Sequence, residues 1–205
     1  MKSRKEHWEK VYATREPHEV SWTQVFPKTS IDFIHSFNLP KTANIIDIGG
    51  GDSRLVDFLL DEGYENISVL DISENAIEKA KRRLAERSNK VKWIISDVTE
   101  FRPDTVYDCW HDRATFHFLT SADDVNTYLS TAQQAVKGYL IIGTFSDKGP
   151  TKCSMLDVHQ YTEESLQQQL LKDFDKLKCV TEDHRTPFNT TQNFLFCSFK
   201  RKINL

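Results

Sequence analysis

Residues 45–55, Ile45-Ile46-Asp47-Ile48-Gly49-Gly50-Gly51-Asp52-Ser53-Arg54-Leu55, read as a buried strand, a glycine-rich turn and the start of a helix. Ile45, Ile46 and Ile48 are β-branched and apolar, as an inner parallel strand requires. Three successive glycines let the backbone turn tightly and approach a ligand without Cβ obstruction. Ser53 is expected to cap the next helix, whose apolar face carries Leu55, Val56, Leu59 and Leu60. A second apolar strand, Ile67-Ser68-Val69-Leu70-Asp71, ends in a carboxylate 24 residues after Asp47. A glycine-rich βα turn followed by an acid at about 20 residues is a nucleoside-binding arrangement, in which the acid accepts ribose hydroxyls.

The turn separates two ligand classes. A dinucleotide fold seats a pyrophosphate on the helix N-terminus and uses G-x-G-x-x-G/A. Here Arg54 stands where the third glycine would be, and Asp52 at the mouth would repel a pyrophosphate. An acid there tolerates a cation, and S-adenosylmethionine carries a sulfonium, an ammonium and a ribose diol but no phosphate. The pattern therefore favours S-adenosylmethionine over a nicotinamide cofactor. A plain nucleoside-binding module without chemistry is the non-enzymatic alternative.

The 205 residues are expected to form one domain, residues 1–40 a helical lid segment and 41–205 the core. A net charge of −3 carries no basic field of the kind that nucleic-acid binding uses. Neither a signal-peptide h-region nor an apolar run long enough for a membrane span is present, so a cytoplasmic, reducing setting is expected. The cysteines at 109, 153, 179 and 197 have no metal spacing. Three lie in apolar, strand-like segments and are expected as buried free thiols.

Along the chain, Ser3 and Glu6 form a capping box for a first helix bearing Trp8, Val11 and Tyr12. Trp22 follows, then a second amphipathic helix with Ile31, Phe33, Ile34 and Phe37. A segment that precedes the first strand can fold over the carboxyl end of the sheet, where ligands sit. Ser73 caps the helix after Asp71, and the run Lys79 to Arg83 reads as a solvated face near its C-terminus. The third strand, 91–95, leads to Asp97 and Val98, suited to an adenine amine and ring. A fourth strand, 106–110, runs into His111-Asp112-Arg113-Ala114-Thr115-Phe116-His117, where four titratable groups in seven residues crowd the position of the reactive methyl. Asp112, kept ionised by Arg113, is expected to face the pocket and accept an amine proton. A fifth strand at 138–145 and two closing segments, 177–180 and 193–199, complete the pattern. The fold expected is a Rossmann-like, seven-stranded, mostly parallel α/β sheet with an antiparallel C-terminal edge hairpin and helices on both faces.

This order resembles the class I, seven-strand S-adenosylmethionine-dependent methyltransferases over roughly residues 40–202. Asp47-x-Gly49-x-Gly51 corresponds to the acidic glycine motif, Asp71 to the ribose acid and Asp97 to the adenine acid. Gly49 to Leu55, Gly63-Tyr64 and Asp71-Ile72-Ser73, with His7-Trp8 and Trp22, are similar to the protein-lysine methyltransferases of elongation factor 1A. Those enzymes carry Asp-Lys-Gly-Thr after strand four, where this chain has Asp112-Arg113-Ala114-Thr115. The Asp-Arg-Ala string is also similar to thiopurine-type small-molecule methyltransferases. The resemblance implies S-adenosylmethionine held by Trp22, Asp47, Gly49, Gly51, Asp71, Ile72, Asp97, Val98 and His111. It implies an acceptor, a protein lysine or alternatively a small-molecule thiol, shaped by Trp8, Tyr12, Arg113 and His117. Asp112 is expected as the acid–base group, and no metal, nucleic acid or membrane is expected to take part.

Overall fold

The structure, a computed structural model, describes residues 3–202. Helix α1 (Arg4–Thr14) is capped by Ser3 and Glu6 in a reciprocal capping box, as the sequence predicts. Helix α2 (Lys28–Ser36) follows, and then a run of five strands and three helices begins. These comprise β1 (Asn44–Ile48), α3 (Leu55–Asp61), β2 (Asn66–Asp71), α4 (Glu74–Leu84), β3 (Val91–Ile95), β4 (Tyr107–Arg113), α5 (Ala122–Ala135) and β5 (Val136–Phe145). A small hairpin, β6 (Lys152–Cys153) and β7 (Leu156–Asp157), precedes α6 (Glu163–Leu170) and the closing strands β8 (Phe174–Arg185) and β9 (Thr191–Arg201).

The main sheet has seven strands in the order β3-β2-β1-β4-β5-β9-β8. Strands β1 to β5 run parallel, and β9 pairs antiparallel with both β5 and β8. Both halves of the predicted topology are present. The order in which strands are added reverses at β1, with β2 on one side and β4 on the other. Ligands of open α/β sheets bind at the carboxyl ends of strands at such a switch point.

Side-chain alternation divides the interior into two layers. Ile46, Ile48, Trp110 and Leu140 pack against Tyr128 of α5 and Leu166 of α6. Ile45, Val69, Cys109 and Ile141 pack against Ile31, Phe33 and Ile34 of α2 and against Leu55, Val56 and Leu59 of α3. Helix α2 is thus part of the sheet's covering, and the lid expected over residues 1–40 narrows to the stretch before it. Helix α1 has no buried residue.

Three local expectations change. Helix α3 starts one residue later than its expected cap. Ser53 Oγ accepts the Leu55 N–H, and Arg54 occupies the cap position without a side-chain bond. Strand β4 runs on through Arg113, because His111 and Asp112 keep the parallel register with β1 and β5. Cys179 and Cys197 are not free thiols. They lie opposite each other across β8 and β9 and form a disulfide. Antiparallel register brings them together, and nothing in their spacing along the chain signals it. Cys109 and Cys153 are buried free thiols.

The β6–β7 connection is a two-residue turn with Ser154 at φ 49° and Met155 at φ 64°. Both central residues of this type I′ geometry prefer glycine or asparagine. Met155 is 87% exposed and gains no packing in return. Met155→Gly is expected to stabilise the chain by about 1 kcal/mol, the cost of a left-handed L-residue, which raises Tm by about 2–4 °C in a domain of this size. A thermal melt of the two proteins checks this.

Candidate active site

A cavity of about 750 Å³ opens above the carboxyl ends of β1, β2 and β4, within the range of ligand sites. Its floor is the glycine turn. Gly49 (φ 64°) lies so close to Thr115 that a Cβ would fall 1.8 Å from its Oγ1. A Cβ on Gly50 would stand 2.6 Å from Asp47 Oδ2, and one on Gly51 2.6 Å from Asp71 Oδ2. The three glycines are therefore needed where two carboxylates and the β4 loop approach the backbone. Arg83 of α4 braces the turn from outside, bonding Asp52, the Ser53 carbonyl and both oxygens of Asp57.

Asp47 is buried, and its Oδ1 lies 2.7 Å from His111 Nδ1. His111 Nε2 lies 2.8 Å from Ser30 Oγ on α2. In the tautomer that donates to Asp47, Nε2 accepts the Ser30 hydroxyl. Asp47 Oδ2 has no hydrogen-bond partner among the described residues. Ser30 carried no motif, and only the packing of α2 under β4 reveals it.

Asp71 is also buried, and its Oδ1 accepts the Ser73 N–H. Burial pushes its carboxyl up to about 7, with repulsion from Asp47 and Glu9 adding to the rise. Asp97 Oδ1 accepts from the backbone and hydroxyl of Thr99, and Oδ2 pairs with Arg4 of α1 at 3.3 Å. Ile72, Asp97 and the buried Val98 line the cavity beside Asp71.

The chain before α2 forms the roof. Trp8 packs against Trp22 (ring centroids 5.5 Å apart) and Phe118 (5.1 Å), and Tyr12 also meets Trp22. Desolvation beneath the roof raises the half-buried Tyr12 phenol well above its ordinary range, with Asp71 and Asp52 adding to it. The roof is tied down by polar contacts. Glu9 accepts hydrogen bonds from Ser73 Oγ, the Glu74 and Asn75 N–H groups and Asn75 Nδ2 at the start of α4, where the helix dipole favours an acid. Burial opposes its ionisation, yet these bonds hold its carboxyl below the ordinary value. At the other end, Ser21 and Gln24 bond His184, Gln192 and Glu182 of the edge hairpin.

Strand alternation separates the residues that the sequence grouped together. His111 and Arg113 face the cavity side. Asp112 does not line the cavity: it points to the opposite face, fully buried under α5. Its Oδ1 accepts the Thr115 and Phe116 N–H groups, and its Oδ2 accepts the Tyr128 hydroxyl. Burial raises its carboxyl to about 6. Its placement corrects the expectation of a pocket-facing base paired with Arg113. His117 is likewise in the core, stacked on Phe145 at 4.4 Å, and burial lowers its imidazole to about 3. A neutral histidine walled off from the cavity does not touch an acceptor. Gly51 supports the turn without lining the cavity.

Comparison with known proteins agrees with this geometry. Residues 45–138 match the family model described as a methyltransferase domain. The mouse (Mus musculus) eEF1A lysine and N-terminal methyltransferase is 30% identical over 122 residues, 58% of this chain and 17% of that protein. The chain thus spans about a sixth of that relative's length. Among solved structures, one from work on conversion of a disulfide bond into a thioacetal group during echinomycin biosynthesis superposes with a TM-score of 0.80 at 16% identity, covering 98% of this chain and 94% of the other. The N-methyltransferase NodS from Bradyrhizobium japonicum WM9, in complex with S-adenosylhomocysteine, gives 0.74 at 14% identity, covering 98% and 100%. Fold and site together define a class I, seven-strand Rossmann-like methyltransferase fold. The methyltransferase-domain match lies within this fold and covers 94 of the chain's 205 residues.

Two substitutions test the site's energetics. Asp71 keeps its proton up to about pH 7 when folded but releases it near 3.8 when unfolded. Its ionisation therefore costs the folded state progressively more as pH rises through that window. Without ligand, Asp71→Asn is expected to melt higher than the parent at about pH 8, with the difference closing by about pH 4. Melts at both pH values check the sign. Asp112→Ala strands three donors in the core and is expected to cost about 3 kcal/mol, a fall in Tm of about 6–12 °C. In the folded fraction, the pH dependence of turnover should keep its shape.

Proposed function

We propose that this chain transfers a methyl group from S-adenosylmethionine to a nucleophilic acceptor enclosed beneath residues 4–27. The observation that carries the reading is the buried acid pair Asp47 and Asp71 beneath a glycine turn that leaves no room for a Cβ. The donor set fits the cofactor. Asp71 would accept the ribose hydroxyls, Asp97 and Val98 would hold the adenine, and Asp47, fixed by His111 and Ser30, would offer negative charge to the amino-acid end. Trp22 and Ile72 would close over it. Bound there, S-adenosylmethionine supplies a methyl carbon on a cationic sulfur; the acceptor's lone pair forms the new bond while the carbon–sulfur bond breaks toward sulfur. The chain's own part is positioning and exclusion of water, for which the aromatic roof is suited.

Two acceptor classes have support. Likeness to the mouse eEF1A methyltransferase favours a protein amine. Asp112 and His117, both turned away from the cavity, offer an ammonium acceptor no base there, which favours a nucleophile that ionises more readily than an amine.

S-adenosylhomocysteine should bind and raise Tm, because a ligand at about 100 times its Kd adds about 2.7 kcal/mol. Incubating the protein with methyl-tritiated S-adenosylmethionine and a lysate of its own source should label either a protein band or the small-molecule fraction. Gly49→Ala, whose new Cβ would meet Thr115 Oγ1 at 1.8 Å, should abolish both binding and label. Binding by Gly49→Ala as tight as the parent's would refute this placement of the cofactor.

A further inference from the structure

We infer that the acceptor is an anion, drawn in by a basic mouth and received inside by the Arg113 guanidinium. This rests on the methyltransferase reading and adds the charge class of the second substrate.

The first observation is the mouth. Between residues 15–25 and helices α3 and α4, the cavity is lined by Arg15, Arg54, Lys79 and Arg82. Arg54 and Arg82 are exposed and make no ion pair among the described residues. Arg15 reaches Glu19 only at 4.0 Å, and Lys79 Nζ is spent on the Arg15 carbonyl. Glu16 is the rim's acid on this side. The neighbouring carboxylates of Asp52 and Asp97 are paired with Arg83 and Arg4. The mouth therefore carries an excess of uncompensated positive charge.

The second observation lies inside and is independent of the first. Arg113 lines the cavity from the end of β4, on the β5 and β9 side of the glycine turn. Its Nη1 donates to the Trp22 carbonyl at 3.0 Å, and its guanidinium lies 4.8 Å over the Phe194 ring. Nε and Nη2, the edge suited to bidentate contact with a carboxylate, make no hydrogen bond. Glu182, the nearest acid toward β8, gives one oxygen to Gln24 and leaves the other unbonded. Burial lowers the Arg113 pKa only to about 10, so the group stays cationic at neutral pH. Cys153, which shares the cavity, is held as a neutral thiol by burial, its pKa pushed up to about 11.

A lysine ammonium entering here would meet like charge at the mouth and again at Arg113. A carboxylate or thiolate would meet attraction at both, and neither needs a base near neutral pH. Both nitrogens are buried, so an acceptor reaches the Nε–Nη2 edge only when the side chains around Arg113 rearrange.

The test holds the scaffold constant and varies charge. Binding of benzoate, benzyl alcohol and benzylamine to the protein saturated with S-adenosylhomocysteine is measured by calorimetry at low and high salt. The anion should bind at least about fivefold tighter than the neutral compound at low salt and lose most of that margin at about 0.5 M salt. The cation should bind weakest. Arg113→Gln and, separately, the surface pair Arg54→Glu and Arg82→Glu should each lower the anion-to-neutral ratio at least about twofold, with S-adenosylhomocysteine affinity within about twofold of the parent. The surface pair keeps the test decisive if Arg113→Gln fails to fold. A flat series, a preference for the cation, or no selective binding while S-adenosylhomocysteine still binds would overturn the anion proposal alone. Failure to bind S-adenosylhomocysteine would overturn the methyltransferase reading and this proposal with it.

Discussion

The hydrogen-bonded line from Asp47 through His111 to Ser30 joins the first strand, its parallel neighbour and the helix beneath them. A buried carboxylate is costly unless bonded, and this one is bonded through an imidazole that is itself held in place. The line keeps β1 and β4 in register at their carboxyl ends, where the cavity opens. It also leaves one carboxylate oxygen uncommitted under the glycine turn. With Asp47 held there, Gly50 must lack a side chain, and with Thr115 pressed on Gly49, so must that residue. The shape of the cavity floor follows from these contacts.

The roof is made differently. The sheet's two faces are closed by apolar layers, whereas α1 contributes no buried residue and is held by carboxylate, guanidinium and backbone bonds. Each such attachment contributes less than the burial of a whole apolar face. The aromatic cluster of Trp8, Tyr12 and Trp22 gives the roof an apolar underside. Ala114 at φ 71°, held by its N–H bond to the Gly143 carbonyl, adds backbone strain at the cavity's edge. Glycine stands at this position in the Asp-Lys-Gly-Thr string of the enzymes the chain resembles, and the geometry explains why glycine suits it.

Elements governed by local rules were legible in the sequence. Ser3 and Ser73 cap their helices with side-chain oxygens. The glycine turn and Asp71 lie within one βα unit, so their meeting is set by a short piece of chain. The reading of His111 to His117 as one polar cluster failed because β4 continues through Arg113, where period-two alternation sends neighbours to opposite faces, and because His117 lies in a turn beyond the strand that buries it in the core.

The sequence by itself determined the order of strands and helices, the glycine turn and the acids that follow it, because each depends on residues close together in the chain. Tertiary structure decided which side chains share the cavity. It placed Arg113 inside and Asp112 outside, brought Ser30 to His111 across 81 residues and Glu9 to α4 across 65, and paired Cys179 with Cys197. These contacts depend on strand register and on how a helix settles on a sheet. Both are fixed by burial of whole faces at once, and no short stretch of sequence encodes that.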